Sequence, residues 1–309
     1  MCYSAQVETQ YRRYVRETGA EMDLEQFEQV FGMRAALPSL RIPRSVERWF
    51  DEPKSTAEEH IKTLIERYRT ASATKLEREV FTQRKRLADA ERTLVVKTTK
   101  AATESKRIAT GKVESAMRKL ELLKSPRPNS MDGRIFPMYY APIVVQDGDR
   151  RLVRLARYHC RPAGKPATID RKFPGLYNAR RDNLTKFWKG QFGHSHALML
   201  VSSFYENVDR DGRNTVLHFV PRPADTMLVA CLYSTWSDAK DGSQLLSFAA
   251  ITDEPPTEVA AAGHDRMIVN LKVENVEAWL TPAKQSVETL QAILSDRQTP
   301  YYEHEVLAA

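Results

Sequence analysis

From Lys54 to Thr110 this chain contains neither glycine nor proline. Nothing in those 57 residues breaks a helix. Ile61, Leu64, Ile65 and Tyr68 recur at helical spacing, followed less regularly by Leu76, Val80, Leu87 and Leu94. Opposite charges about one turn apart, Glu58 with Lys62, Glu104 with Arg107 and Glu114 with Arg118, reinforce that period. The spacing predicts one or two long helices, as an antiparallel hairpin or a coiled-coil-like pair; the heptad is too irregular to choose between them. Residues 54–125 therefore form a helical insertion, and the flanking sequence must build the rest of the fold.

The insertion also holds the charge. The whole chain of 309 residues carries +7, while residues 54–124 hold 18 Lys and Arg against 10 Asp and Glu, a balance of +8 that leaves about −1 elsewhere. Clustered basic residues are a nucleic-acid footprint where counterion release rewards phosphate contact, or else a solvated helix face. With 42% hydrophobic residues there is apolar material for one sizeable core and a second small module. No apolar run has the length of a membrane span, and no signal peptide precedes Cys2. Cys2, Cys160 and Cys231 are too few and scattered for a disulfide framework, which fits a reducing cytoplasm and a nucleoid-associated protein. No Cys/His spacing suggests a metal site, so neither metal nor cofactor is expected, and His159-Cys160 reads as packing.

Around the insertion the texture differs. In residues 1–53 a short helix starts at Met22–Phe27, and Pro38, Pro43 and Pro53 interrupt the segment. After a linker at Ser125–Ser130, β-type runs follow at 139–145, 151–158, 197–205, 215–219, 227–233 and 245–251. Asp147-Gly148, Asp211-Gly212 and Asp241-Gly242 punctuate them as hairpin turns. Helices at 275–280 and 282–294 close the chain. The expected fold is α+β: an antiparallel, curled or barrel-like sheet with flanking helices plus the helical insertion. The organisation reads as 1–53, the N-terminal part of the core; 54–125, the insertion; 126–285, the main core; and 286–309, a C-terminal helix and tail.

The second residue is a cysteine. Removal of Met1 would leave Cys2 with a free α-amine, of pKa near 8, beside its thiol. Such an aminothiol attacks an aldehyde twice, the amine forming an imine and the sulfur then closing a thiazolidine.

Four stretches accompany Cys2: Tyr177-Asn178-Ala179-Arg180, Ser203-Phe204-Tyr205-Glu206, Ser247-Phe248-Ala249-Ala250-Ile251-Thr252 and Gly263-His264-Asp265-Arg266-Met267. Together and in this order they resemble the SOS response-associated peptidase family, whose members shield abasic sites in single-stranded DNA by crosslinking to them. The family pattern opens Met-Cys-Gly-Arg, continues through Asn-Ala-Arg and a Tyr-Glu strand end, and finishes with His-x-Arg-Met. The resemblance covers Met1–Ser4 and roughly Phe136–Pro282. Tyr3 and Ser4 replace the family's Gly and Arg, Asp182 stands where Glu is usual, Asn207 replaces a Trp after Glu206, and Arg157-Tyr158-His159 stands for Arg-Trp-Gly.

The resemblance implies a DNA-damage protein that binds abasic single-stranded DNA and crosslinks through Cys2, with lesion-processing and self-processing activity. By it, Glu206 shuttles protons, with burial beside Phe204-Tyr205 raising its pKa toward neutrality. His264 donates to the sugar oxygen as the ring opens, and Asn178 holds the α-amine or the sugar. Arg180 and Arg266 are candidates for phosphate contact, and Pro142, Tyr158 and Phe187 for an apolar surface under flanking bases. Each has a plainer alternative: a strand-end carboxylate, a turn histidine, a capping asparagine, surface ion pairs and core aromatics. Two other classes stay open, an N-terminal-nucleophile peptidase or amidohydrolase and a non-catalytic DNA-binding module. The insertion would extend the DNA footprint, bind a protein partner or dimerise.

Overall fold

The computed structural model describes residues 3–129, 131–210 and 212–307. The chain divides into two compact units, Met1–Glu58 with Ser130–Ala309, and Glu59–Asn129.

The larger unit is built on one 12-stranded sheet. Its strands are β1 (Ser4–Val7), β2 (Glu21–Met22), β3 (Arg134–Ile135), β4 (Tyr140–Asp147), β5 (Arg150–Tyr158), β6 (Asn178–Arg180), β7 (His196–Arg210), β8 (Arg213–Arg222), β9 (Met227–Ser237), β10 (Gln244–Asp253), β11 (Met267–Ile268) and β12 (Tyr301–Val306). Five of them close on themselves: β10 pairs β5, β5 pairs β4, β4 pairs β7, β7 pairs β9 and β9 pairs β10. Closure removes the edges that an open sheet would expose. Ile143, Met199, Val229, Cys231 and Phe248 are fully buried in the core of this barrel, each large side chain contributing roughly 1.5–3 kcal/mol.

The α+β class with a barrel core and a long helical region is as the sequence implied. All six apolar runs are strands, and Gly148 and Gly242, at φ 57° and 70°, make the hairpin turns that their Asp-Gly pairs foretell; Asp211 lies outside the described residues. One expectation needs correction, because the sheet is not purely antiparallel. β10 runs parallel to β5 and to β6, and β2 runs parallel to β5. Parallel pairing needs a long crossover, and the chain between β5 and β10 supplies one that no local pattern reveals.

β7 decides where the site lies. It is 15 residues long, so its first half, through Val201, forms barrel wall with β9, while Phe204–Arg210 continue beyond to pair β8. The N-terminal β1 joins that extension, with Ser4 opposite Tyr205 and Ala5 opposite Phe204. Phe204 stacks on Phe219 at 5.0 Å and 8°, which anchors the extension to the core.

The smaller unit is an antiparallel helical hairpin, formed from the helix Thr56–Val96 and the helix Lys100–Lys124. Thr99 caps the second helix through the Ala102 amide at 3.1 Å. Cross-helix contacts run in opposite order along the two helices: Glu77 meets Lys124 at 2.7 Å, Arg86 meets Ser105 at 2.9 Å, and Glu91 meets Lys106 at 3.1 Å. The seam includes small residues. Ala102, Ala109 and Ala116 recur every seven residues and are buried, as are Ile61, Ile65, Gln83 and Ala90 on the first helix. Alanine at the contact lets the two backbones approach closely.

Candidate functional site

Of the sequence-marked residues, Glu206 and His264 are in contact, and the start of β1 pairs with the strand that carries Glu206. Glu206, on β7, is fully buried, and its Oε2 lies 3.0 Å from His264 Nε2. His264 Nδ1 donates to the Arg266 carbonyl at 2.6 Å. That bond fixes the ring, so Nε2 either accepts from a protonated Glu206 or donates to its carboxylate. Either way, a single proton lies between the two groups. The turn that presents His264 needs Gly263, at φ +98°, a region that side chains with a Cβ rarely adopt. The next residues return to the sheet as β11, antiparallel to β10.

Asn178 is buried on β6, opposite Ala250 of β10. The start of the described chain reaches both this strand and β7. The Tyr3 ring meets Tyr177 edge-on at 6.2 Å, next to Asn178, and Ser4 pairs with Tyr205, next to Glu206. Tyr3, which replaces the family's glycine, is thus an aromatic anchor that also meets Phe136 at 5.8 Å. Cys2 lies outside the described residues. The other two cysteines are poor nucleophiles, because burial pushes Cys160 up to about 12 and raises Cys231 further still.

Arg180 and Arg266 come together around one carboxylate. Arg180 forks onto Asp182 at 3.0 and 2.5 Å, and that hydrogen bond, with the charge of Arg266 adding, holds Asp182 below the usual carboxylate range. Both cations are partly exposed, so a phosphate could displace the Asp182 contact.

The three residues expected under flanking bases do not share a surface. Tyr158 is fully buried, stacked on Phe248 at 5.2 Å and edge-on to Tyr177 at 5.6 Å. It is a pillar beneath Tyr177 and offers no face to a base. Pro142 is buried in β4 opposite Leu155. Phe187 alone of the three is exposed, at 40%, beside Phe173 and Trp188.

Two features were not read from the sequence. Arg134, on β3, donates to Ser4 Oγ and lies over the Tyr205 ring; nothing in its local sequence marks it. On the same sheet face, Ser203, His218 and Glu305 form a chain, with Nε2 to Ser Oγ at 2.8 Å and Nδ1 to carboxylate at 3.0 Å. Its connectivity is that of a hydrolytic triad. Ser203 is buried within a long strand, however, and the Tyr205 ring covers the imidazole at 4.5 Å and 12°. The chain therefore braces Tyr205.

Among the described residues, no group of three or more His, Cys, Asp or Glu could hold a metal ion, and no helix is long and apolar enough to cross a membrane.

The chain is similar to several known proteins. The abasic site processing protein YobE of Bacillus subtilis is 28% identical over 155 residues, 49% of this chain and 68% of its own. The abasic site processing protein YoqW of the same species is 27% identical over 49% of this chain and 67% of its own. A solved protein of Bacteroides thetaiotaomicron superposes with a TM-score of 0.49 and 16% identity, over 57% of this chain and 78% of that one. The sequence model of the family described as SOS response associated peptidase (SRAP) matches residues 92–308. With that match spanning more than half of its length, and with the Asn178, Glu206 and His264 motifs inside it, the chain belongs to the SOS response-associated peptidase family.

Proposed function

We propose that this protein processes abasic sites in single-stranded DNA by forming a covalent crosslink through Cys2 once Met1 has been removed. The observation that carries the reading is the meeting of the chain's first described residues, Tyr3 and Ser4, with the residues next to Asn178 and Glu206, together with the 3.0 Å contact between Glu206 and His264. In this reading the N-terminal nucleophile works with a proton acceptor, a proton donor and a polar clamp: Glu206, His264 and Asn178. Family membership and the printed names of YobE and YoqW support the substrate class.

An abasic deoxyribose interconverts between a ring hemiacetal and an open aldehyde. His264 donates a proton to the ring oxygen as the ring C1–O bond breaks, and the C1 hydroxyl gives its proton to Glu206 as it becomes the aldehyde. The Cys2 amine then adds to the aldehyde carbon, and Glu206 moves the proton that lets water leave as the imine forms. The Cys2 thiol adds to the imine carbon and its proton passes to the nitrogen, which closes the thiazolidine. Asn178 orients the amine or the sugar. Arg180 and Arg266 exchange Asp182 for backbone phosphate, and Phe187 supplies the exposed ring for a flanking base.

The test has two parts. Intact mass spectrometry establishes that Met1 is absent, and incubation with an abasic oligonucleotide then reads the adduct. A covalent species of slower mobility is expected, absent for Cys2→Ala. Processed protein that forms no adduct would falsify the reading. Peptide turnover without DNA would instead favour an N-terminal-nucleophile peptidase.

A further inference from the structure

The proposed chemistry leaves Arg134 without a part, yet it binds Ser4 through two hydrogen bonds. Arg134 Nε and Nη2 donate to Ser4 Oγ at 3.1 and 2.9 Å. The same guanidinium lies 3.7 Å from the centre of the Tyr205 ring and 4.8 Å from that of Phe136. Tyr205 stacks in turn on His218, which Ser203 and Glu305 hold by both ring nitrogens. A continuous row, Phe136, Arg134, Tyr205, His218 and Glu305, therefore crosses the sheet over Ser4.

β1 needs such a tie. It has four residues, and its register against β7 shifts between Gln6 and Val7. A short terminal strand frays unless its side chains are held. Two hydrogen bonds from a half-buried cation, combined with its cation–π contact, provide that hold. The family pattern carries Arg two residues after the Cys, where this chain has Ser4. Arg134 brings a guanidinium to Ser4 from the neighbouring strand.

We propose that Arg134 is a positioning residue for the N-terminal reaction. By locking Ser4 opposite Tyr205 it holds β1 in register beside the strand that carries Glu206, and it supplies from β3 a guanidinium at Ser4, where the family pattern has Arg in sequence. The proposal rests on the crosslinking reading for its catalytic consequence, while its hold on β1 can be measured without DNA.

The experiment compares wild type, Arg134→Ala and Arg134→Ala with Ser4→Arg, each confirmed to lack Met1. Single-turnover crosslinking to an abasic oligonucleotide gives a maximal rate and a half-saturating concentration, and hydrogen exchange reports the amides of Ala5–Val7. Arg134→Ala should lower the maximal rate about tenfold or more and speed exchange in β1, while half-saturation moves less than about threefold. The added Ser4→Arg should restore most of the rate, which a general loss of stability would not allow. A wild-type rate in Arg134→Ala, or an effect confined to half-saturation, overturns the proposal. Should Arg134→Ala fail to fold, Ser4→Ala removes only the acceptor; unchanged rate and exchange there also overturn it. If wild type itself does not crosslink, the functional reading falls, and unchanged β1 exchange in Arg134→Ala then removes the positioning role separately.

Discussion

His264 shows how much a single residue depends on its neighbours here. Its Nδ1 is committed to the Arg266 carbonyl and its Nε2 faces the buried Glu206, so Nε2 is the nitrogen left to exchange a proton with Glu206 or with a substrate. Replacing His264 with Ala should slow crosslinking by about 100-fold at neutral pH. Noncovalent affinity for abasic DNA, read in a Cys2→Ala background, should stay unchanged. Thermal denaturation should show a cost of about 1–3 kcal/mol as Glu206 loses that contact. A variant that crosslinks at full rate would remove His264 from the chemistry. Residue identity was legible for this pair because short motifs mark them. Arg134 was not, since its role comes from a cross-strand position and not from its sequence neighbours.

At the scale of elements, the helical hairpin teaches a different lesson. The large apolar residues at helical spacing, Ile61, Leu64, Ile65, Tyr68, Leu76, Val80, Leu87 and Leu94, are all buried or half-buried, Ile61 and Ile65 most deeply, whereas Phe81, Val95 and Val96, off that spacing, are exposed. Ala90, Ala102, Ala109 and Ala116 are buried in the seam as well, and hydrophobic periodicity weighted by side-chain size overlooks alanine. Ala109 is fully buried in that seam, with no room for a charged side chain. Ala109→Glu should therefore cost the hairpin at least about 2 kcal/mol. Circular dichroism should show loss of helical signal at a lower temperature than in wild type; unaltered melting would mean that the seam lies elsewhere. The strands of the barrel were readable as elements because Val, Ile and aromatic runs alternate with Asp-Gly turns. Their parallel partners were not, because a crossover leaves no local mark.

Across the whole molecule, buried histidines tie stability to pH. Burial, with Arg157 beside it, pushes His159 from its ordinary 6.5 to about 4, and burial takes His196 to about 3. His196 accepts from the Gly193 amide and donates to the Trp279 carbonyl, so it is neutral when folded. Both folded values lie below the unfolded one, so the unfolded chain binds protons first as pH falls. Their contribution is complete above about pH 6.5 and is lost progressively toward pH 4. Asp170 opposes burial with hydrogen bonds from Arg161 and Arg157, which hold its carboxyl below the ordinary range. Its contribution persists through that window and disappears only in stronger acid. The melting temperature should be flat from pH 8 to about 6.5 and fall steadily below it; a flat profile down to pH 4 would show that these histidines do not remain neutral.

The sequence by itself determined the elements and the reactive residue types: a helix-only insertion from unbroken periodicity, a set of strands from β-branched runs and turns, and Asn178, Glu206 and His264 from short motifs. These are local properties, set by backbone propensity and side-chain chemistry within a few residues. Only the tertiary structure decided that β7 runs past the barrel to meet β1, that Glu206 lies 3.0 Å from His264, that Tyr158 is a core pillar, and that Arg134 grips Ser4. Those facts depend on residues as far apart in the chain as Ser4 and Tyr205, and burial and register arise only when distant strands pair.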